Sequence, residues 1–139
     1  MRKSSNGYYL NRHSCFLLQY HLVLVTKYRH PVITGDIEAF LKDYTMRYFT
    51  DRDLPILALE TMPDHIHILF EASPGICLTE LVNAFKTGSS RAVRKNFAEE
   101  LKPYYWKPYF WSLSYFIGSV SEQTTSVVKK YINAQKSAE

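Results

Sequence analysis

Met62-Pro63-Asp64-His65-Ile66-His67-Ile68-Leu69-Phe70-Glu71-Ala72 reads as a turn followed at once by a strand. From His65 to Ala72 the residues alternate strictly. His65, His67, Leu69 and Glu71 point one way, and Ile66, Ile68 and Phe70 point the other. Pro63 cannot donate to a ladder, so the preceding apolar run, residues 54–61, is a separate strand joined to this one as a hairpin. Working back, Asp36 caps a helix that carries Ile37, Phe40, Leu41, Tyr44 and Tyr48 at helical spacing through Thr50. Before it, residues 16–27 form a strand with Tyr20, Leu22, Leu24 and Thr26 on one face and His21, Val23 and Val25 on the other, ended by Pro31. Working forward, Ser73-Pro74-Gly75 closes the hairpin strand. Leu78, Leu81, Val82 and Phe85 then mark a second amphipathic helix, interrupted or kinked at Lys86-Thr87-Gly88-Ser89-Ser90-Arg91. A fourth strand is expected within residues 109–116, a polar linker over 118–123, and a last helix over 124–136 capped by Thr124 or Thr125. The order βαββαβ plus a terminal helix predicts an α+β, ferredoxin-like sandwich: an antiparallel sheet with helices on one face.

Composition narrows the function classes. The 139 residues allow one domain, spanning 1–139, with residues 1–14 as a polar arm. Seventeen Lys and Arg against thirteen Asp and Glu give +4, a surplus that favours polyanionic partners. Aromatic residues reach 15%, more than so small a core needs, which predicts rings at a surface or interface. Cys15 and Cys77 lie far apart without a Cys-x-x-Cys pattern, so they read as buried small residues in a reduced setting rather than as a disulfide frame or zinc ribbon. The apolar run 16–25 is broken by Gln19, Tyr20 and His21, so no membrane span is expected.

Several side chains can carry chemistry. His65 and His67 project from one face of a strand and can converge on a metal ion or a phosphate, or can simply occupy a polar face. Tyr131 and Gln135, four apart, share one face of the terminal helix, with Val127 and Val128 one turn earlier. The Gln carbonyl suits a hard ion such as Mg²⁺ or Mn²⁺, the imidazoles favouring the latter. A phenol is mostly protonated at neutral pH, so Tyr131 as a nucleophile needs a nearby cation; otherwise it is one more half-buried aromatic. Lys86, Arg91, Arg94 and Lys95 around Ser89 and Ser90 can hold phosphates or form a solvated helix face. Lys27 and Arg29 make a second basic pair at a strand end. Tyr104, Tyr105, Trp106, Tyr109, Phe110 and Trp111, interleaved with Lys102 and Lys107, suit base stacking, and half of them are expected to belong to the core instead.

Five ordered motifs then carry a resemblance. Tyr20-His21-Leu22-Val23-Leu24-Val25-Thr26-Lys27-Tyr28-Arg29, Met62-Pro63-Asp64-His65-Ile66-His67, Lys86-Thr87-Gly88-Ser89-Ser90-Arg91, Trp111-Ser112-Leu113-Ser114-Tyr115-Phe116 and Lys130-Tyr131-Ile132-Asn133-Ala134-Gln135 are similar to the single-tyrosine HUH transposases of the insertion sequence 200/605 family. The likeness runs from about His13 to Gln135. It implies a transposase that cleaves and rejoins single-stranded DNA through a 5′-phosphotyrosine, with Mg²⁺ or Mn²⁺ and no ATP. By the same resemblance Tyr131 is the nucleophile and His65, His67 and Gln135 are the metal ligands. The partners implied are subterminal DNA hairpins, bound in part by Lys27, Arg29, Lys86, Ser89, Ser90, Arg91, Arg94 and Lys95, and a second copy in a homodimer with shared active sites. The setting implied is the prokaryotic cytoplasm, on the nucleoid when acting. The linker after Gly118 holds fewer glycines than is usual in that family, which implies a stiffer hinge. Two alternatives are a domesticated HUH nicking endonuclease for structured single-stranded repeats and a non-catalytic RNA-binding ferredoxin-like module. The second calls for stacking aromatics where His65 and His67 stand.

Overall fold

A computed structural model of the chain describes residues 2–4, 7–120 and 124–134. Three two-residue strands, β1 (Arg2–Lys3), β2 (Tyr9–Leu10) and β3 (Cys15–Phe16), make a small antiparallel sheet. They are followed by β4 (Leu18–Val25), a 3₁₀ turn (Lys27–Arg29), α1 (Gly35–Asp51), β5 (Ile56–Met62) and β6 (His65–Ala72). Then come α2 (Leu78–Asn96), α3 (Ala98–Leu101), β7 (Phe116–Ser119) and α4 (Thr124–Ala134). The second sheet has the order β5-β6-β4-β7, and every pairing in it is antiparallel. This is the ferredoxin-like arrangement the alternation predicted, with β6 spanning the residues read from the sequence.

One face of this sheet is sealed. Leu22, Leu24, Ile66, Ile68 and Phe70 pack with Ile37, Leu41 and Phe49 of α1 and Leu81, Val82 and Phe85 of α2. Ile66, Ile68 and Phe70 are fully buried. A one-residue slip of β6 would turn all three to the other face, at about 1.5–3 kcal/mol each. The same preference fixes His65 and His67 on the opposite face. There the register places Val23 across from His67 and Val25 across from His65.

Several expectations are corrected. Asp36 lies in the first turn of α1, after the cap position Thr34, so its carboxylate acts on the helix dipole rather than as the cap. Met62 ends β5 instead of opening the turn. α2 runs unbroken through Lys86–Arg91. Ser89 returns its hydroxyl to Phe85 O at 2.6 Å, and a Cβ on Gly88 would collide with Tyr44 Oη, so the glycine serves close packing of α1 on α2. The fourth strand begins where the expected interval ends. Trp111 bridges Thr26, the chain then loops out through Leu113, and regular pairing resumes with Phe116 opposite Val23. Gly118 and Ser119 therefore belong to β7 and not to a linker, and Val120 N–H donates to Gln19 O at 3.1 Å. Cys15 and Cys77 are free and exposed. Cys15 alternates with buried Phe16 on a short strand, and Cys77 stands just ahead of α2. Among the described residues no helix is long and apolar enough to cross a membrane.

The N-terminal arm is held against the sheet by one carboxylate. Glu71, 1% exposed, accepts the Tyr9 hydroxyl at 2.5 Å and Gln19 Nε2 at 2.9 Å, with Lys3 Nζ at 3.8 Å. Tyr9 stacks on Phe16 with ring centroids 5.7 Å apart. The hydrogen bond to Glu71, reinforced by burial and by the negative charge of Glu71, pushes the Tyr9 phenol from 10.0 up to about 12. Tyr9→Phe removes a bond to a charged acceptor and is expected to cost about 1.5–3 kcal/mol in urea unfolding at neutral pH. Because the folded phenol titrates above the unfolded one, this stabilisation is full below pH 10.0 and fades as pH rises toward about 12. The difference between wild type and Tyr9→Phe should shrink over that window.

Candidate active site

The open face of the sheet collects His21, Val23 and Val25 from β4 and His65 and His67 from β6, because residues in register on neighbouring strands share a face. α4 lies on this face. Tyr131 and Ile132 pack with Phe116 against Val23 and Val25, the two valines opposite the two histidines. The Tyr131 ring sits 5.6 Å from that of Phe116, and its hydroxyl lies 2.8 Å from Ser114 Oγ. The structure therefore brings Tyr131 to the same side of the sheet as His65 and His67, half-buried and with its oxygen at a hydroxyl rather than in the core. Gln135 lies outside the described residues.

The two imidazoles have different neighbours. His65 Nδ1 is 2.8 Å from Asp64 Oδ1, and Asp64 Oδ2 is 2.9 Å from Arg29 Nε and 2.8 Å from Arg29 Nη2. Burial raises the Asp64 carboxyl, but the hydrogen bonds from His65 and Arg29 and the positive charge of Arg29 outweigh it and hold the group below its ordinary value. His67 Nε2 is 2.6 Å from His21 Nδ1, and its Nδ1 is 3.9 Å from Glu60 Oε2 across the β5–β6 pair. Burial, aided by the neighbouring His21, lowers His67, and burial lowers His21, so both rings are neutral at pH 7. Neutral imidazole is the form that binds a cation. Among the described residues no three His, Cys, Asp or Glu side chains form a metal-binding group. The donor chemistry that does fit is an imidazole pair completed by a donor of another type.

The basic residues separate into groups. Lys86, Ser90, Arg91 and Arg94 line a groove of about 370 Å³ against residues 108–113, including Trp111. Lys86 Nζ donates to the carbonyls of Ser112 and Leu113, and Arg94 Nε to Ser90 Oγ. Lys95 is exposed outside this groove lining. Ser89 faces inward, accepting Trp111 Nε1 at 2.9 Å, which accounts for a serine in the core. Lys27 is buried, its ammonium 5.2 Å from the ring centres of both Tyr28 and Tyr109. Arg29 is committed to Asp64. Of the aromatic run, Tyr105, Phe110 and Trp111 are buried, whereas Tyr104 and Trp106 are exposed, in keeping with the expected division. His21, Asp64 and Ser114 were not singled out as site residues. His21 had one usable signal, its place on the face of Val23 and Val25, but its nearness to His67 depends on a strand pairing that no local pattern specifies.

Comparison with known proteins finds similar chains in sequence and in structure. The family model described as "Transposase IS200 like" matches residues 14–135. The ISDra2 transposase TnpA of Deinococcus radiodurans is 36% identical over 124 residues, covering 89% of this chain and 88% of that protein. The transposase for insertion sequence element IS200 of Salmonella typhimurium is 27% identical over 123 residues, covering 88% and 80%. A crystal structure of a Deinococcus radiodurans R1 protein assigned as a transposase superposes with a TM-score of 0.85 at 34% identity, covering 92% of this chain and 98% of that one. A REP-associated tyrosine transposase bound to a REP hairpin shares the fold, with a TM-score of 0.57 at 11% identity, covering 86% and 68%.

The lowered histidines set a pH dependence. His21 and His67 take up protons more readily in the unfolded chain, so stability is full above 6.5 and falls as pH drops below it. His21→Gln removes one of the two rings. In the metal-free chain it is expected to flatten the decline in denaturant midpoint between about pH 7.5 and 5.

Proposed function

This chain belongs to the IS200-like transposase family, and on that footing we propose that it cuts and rejoins single-stranded DNA at element ends through a covalent bond to Tyr131. The observation that carries this reading is the packing of Tyr131 on Val23 and Val25, the residues in register with His67 and His65. The phenol oxygen attacks the scissile phosphorus and gives up its proton. The bond from phosphorus to the 3′ oxygen breaks, that oxygen takes up a proton, and the 5′ phosphate stays on Tyr131. A 3′-hydroxyl reverses the step and rejoins strands. One phosphodiester is exchanged for another, so no nucleotide cofactor is needed. Ser114 Oγ orients the phenol.

His65 and His67 are proposed to hold a divalent ion of the Mg²⁺ or Mn²⁺ type, with Gln135, four positions beyond Tyr131, as the third ligand. Two imidazoles and an amide oxygen fit that chemistry, with Mn²⁺ the better match for nitrogen. When bound, the ion supplies positive charge that favours the phenolate and neutralises the phosphate oxygens. Hairpin DNA is the proposed ligand of the groove lined by Lys86, Ser90, Arg91 and Arg94, whose cations and hydroxyl suit a sugar–phosphate backbone. A second copy of the chain is proposed as the working partner, in a homodimer with shared active sites.

Labelled single-stranded element ends incubated with the protein and Mg²⁺ should yield a protein–DNA adduct that survives a denaturing gel. Tyr131→Phe is expected to abolish the adduct while hairpin binding is retained, and an adduct that persists would exclude Tyr131. His67→Ala should lower cleavage by about 100-fold or more, with partial recovery in excess Mn²⁺. Cleavage unchanged in a chelator would rule out the metal.

A further inference from the structure

We propose that Asp64, clamped by Arg29, is a positioning residue that fixes His65 in the tautomer with the proton on Nδ1, so that its Nε2 lone pair is the one presented to a cation. The proposal rests on the reading above that His65 is a metal ligand. Its own support is the assignment of both carboxylate oxygens. Oδ1 lies 2.8 Å from His65 Nδ1, while Oδ2 takes Arg29 Nε at 2.9 Å and Nη2 at 2.8 Å. An ionised carboxylate only accepts, so a neutral His65 must carry its proton on the nitrogen facing Oδ1. Rotation of the carboxylate away from His65 would break the contacts with the guanidinium as well.

The backbone holds both partners of the clamp. Asp64 O accepts Thr26 N–H at 2.9 Å and the Thr26 hydroxyl at 3.2 Å, which ties the β5–β6 turn to the end of β4. Arg29 has φ 54° and follows Tyr28 at φ 58°, two successive left-handed residues that turn the chain back toward Asp64. Arg29 N–H closes on Thr26 O at 2.9 Å. Thr26 is thus hydrogen-bonded to both sides of the ion pair. Among the described residues His67 has no such support. Its Nε2 meets another imidazole, His21, whose ring can donate or accept, and the carboxylate paired with it among the described residues, exposed Glu60, is 3.9 Å away. The two histidines of the motif are therefore unequal: His65 is pre-set and His67 is adjustable.

The test uses the full-length, metal-free chain labelled with ¹⁵N, at a pH above the imidazole range. Long-range proton–nitrogen spectra should show His65 protonated on Nδ1 with a bare Nε2. Asp64→Ala should raise the share of the Nε2-protonated form and weaken Mn²⁺ binding, measured by calorimetry, by about 10- to 100-fold. Asp64→Asn, whose single acceptor oxygen is drawn to the Arg29 guanidinium so that its NH₂ group faces Nδ1 as a donor, should shift the tautomer in the same direction. A purely structural role would not move the tautomer. A wild-type His65 protonated on Nε2 overturns the proposal, and this result needs no variant to fold. Mn²⁺ affinity within about twofold of wild type in a folded Asp64→Ala also overturns it. Absence of Mn²⁺ binding to the wild-type chain would remove the metal reading itself, an outcome separate from the tautomer result.

Discussion

The antiparallel pairing of β4 with β6 is the constraint from which the rest of this molecule follows. Both strands are central, and both give one face to the helices. Once Leu22, Leu24, Ile66, Ile68 and Phe70 are committed to the core, the opposite side chains have no freedom of face. Val23 and Val25 then provide an apolar seat beside two imidazoles, and α4 brings Tyr131 to that seat. The site is a by-product of register, which is why it tolerates a polar face on strands otherwise rich in valine and leucine.

Much of this was legible in the chain itself, for identifiable reasons. The alternation from His65 to Ala72 fixed a strand, its two faces and the side on which the histidines stand. The helical spacing of Ile37, Leu41, Tyr44 and Tyr48 did the same for α1. The fourth strand was misplaced because Tyr109, Phe110 and Trp111 look like strand residues and do run beside the end of β4, Lys27 N–H reaching Phe110 O and Ser112 N–H reaching Val25 O. A loop-out through Leu113 separates them from the ladder proper, and nothing local announces it. The supposed break at Gly88 failed for the opposite reason. The glycine marks a close approach between helices, a tertiary fact that reads locally as a helix breaker.

The site was legible in its principals and opaque in its supports. Periodicity put His65 and His67 on one strand face and Tyr131 with Gln135 on one helix face, while the roles expected of them came from the resemblance to the insertion sequence 200/605 family. The contact of His21 with His67 needs the partner register, and Ser114 reaches Tyr131 from a segment with no repeating pattern. Asp64 is next to His65 in sequence, yet its role depends on Arg29, which arrives from the far end of another strand. The left-handed backbone at Tyr28 and Arg29 costs on the order of 1–3 kcal/mol per residue. The Arg29–Asp64 contacts are the compensation visible in the structure.

Glu71 gives the first residues of the chain a significance that their polarity conceals. It stands on the same face of the same strand as His67, and Tyr9, Gln19 and Lys3 are what make its charge tolerable there. Trimming the amino terminus, or prying it off with a fused tag, would take Tyr9 and Lys3 away from Glu71 and open a buried carboxylate on the strand of the histidines to water. An engineer seeking a minimal version of this protein would do better to keep the small three-stranded sheet and shorten elsewhere.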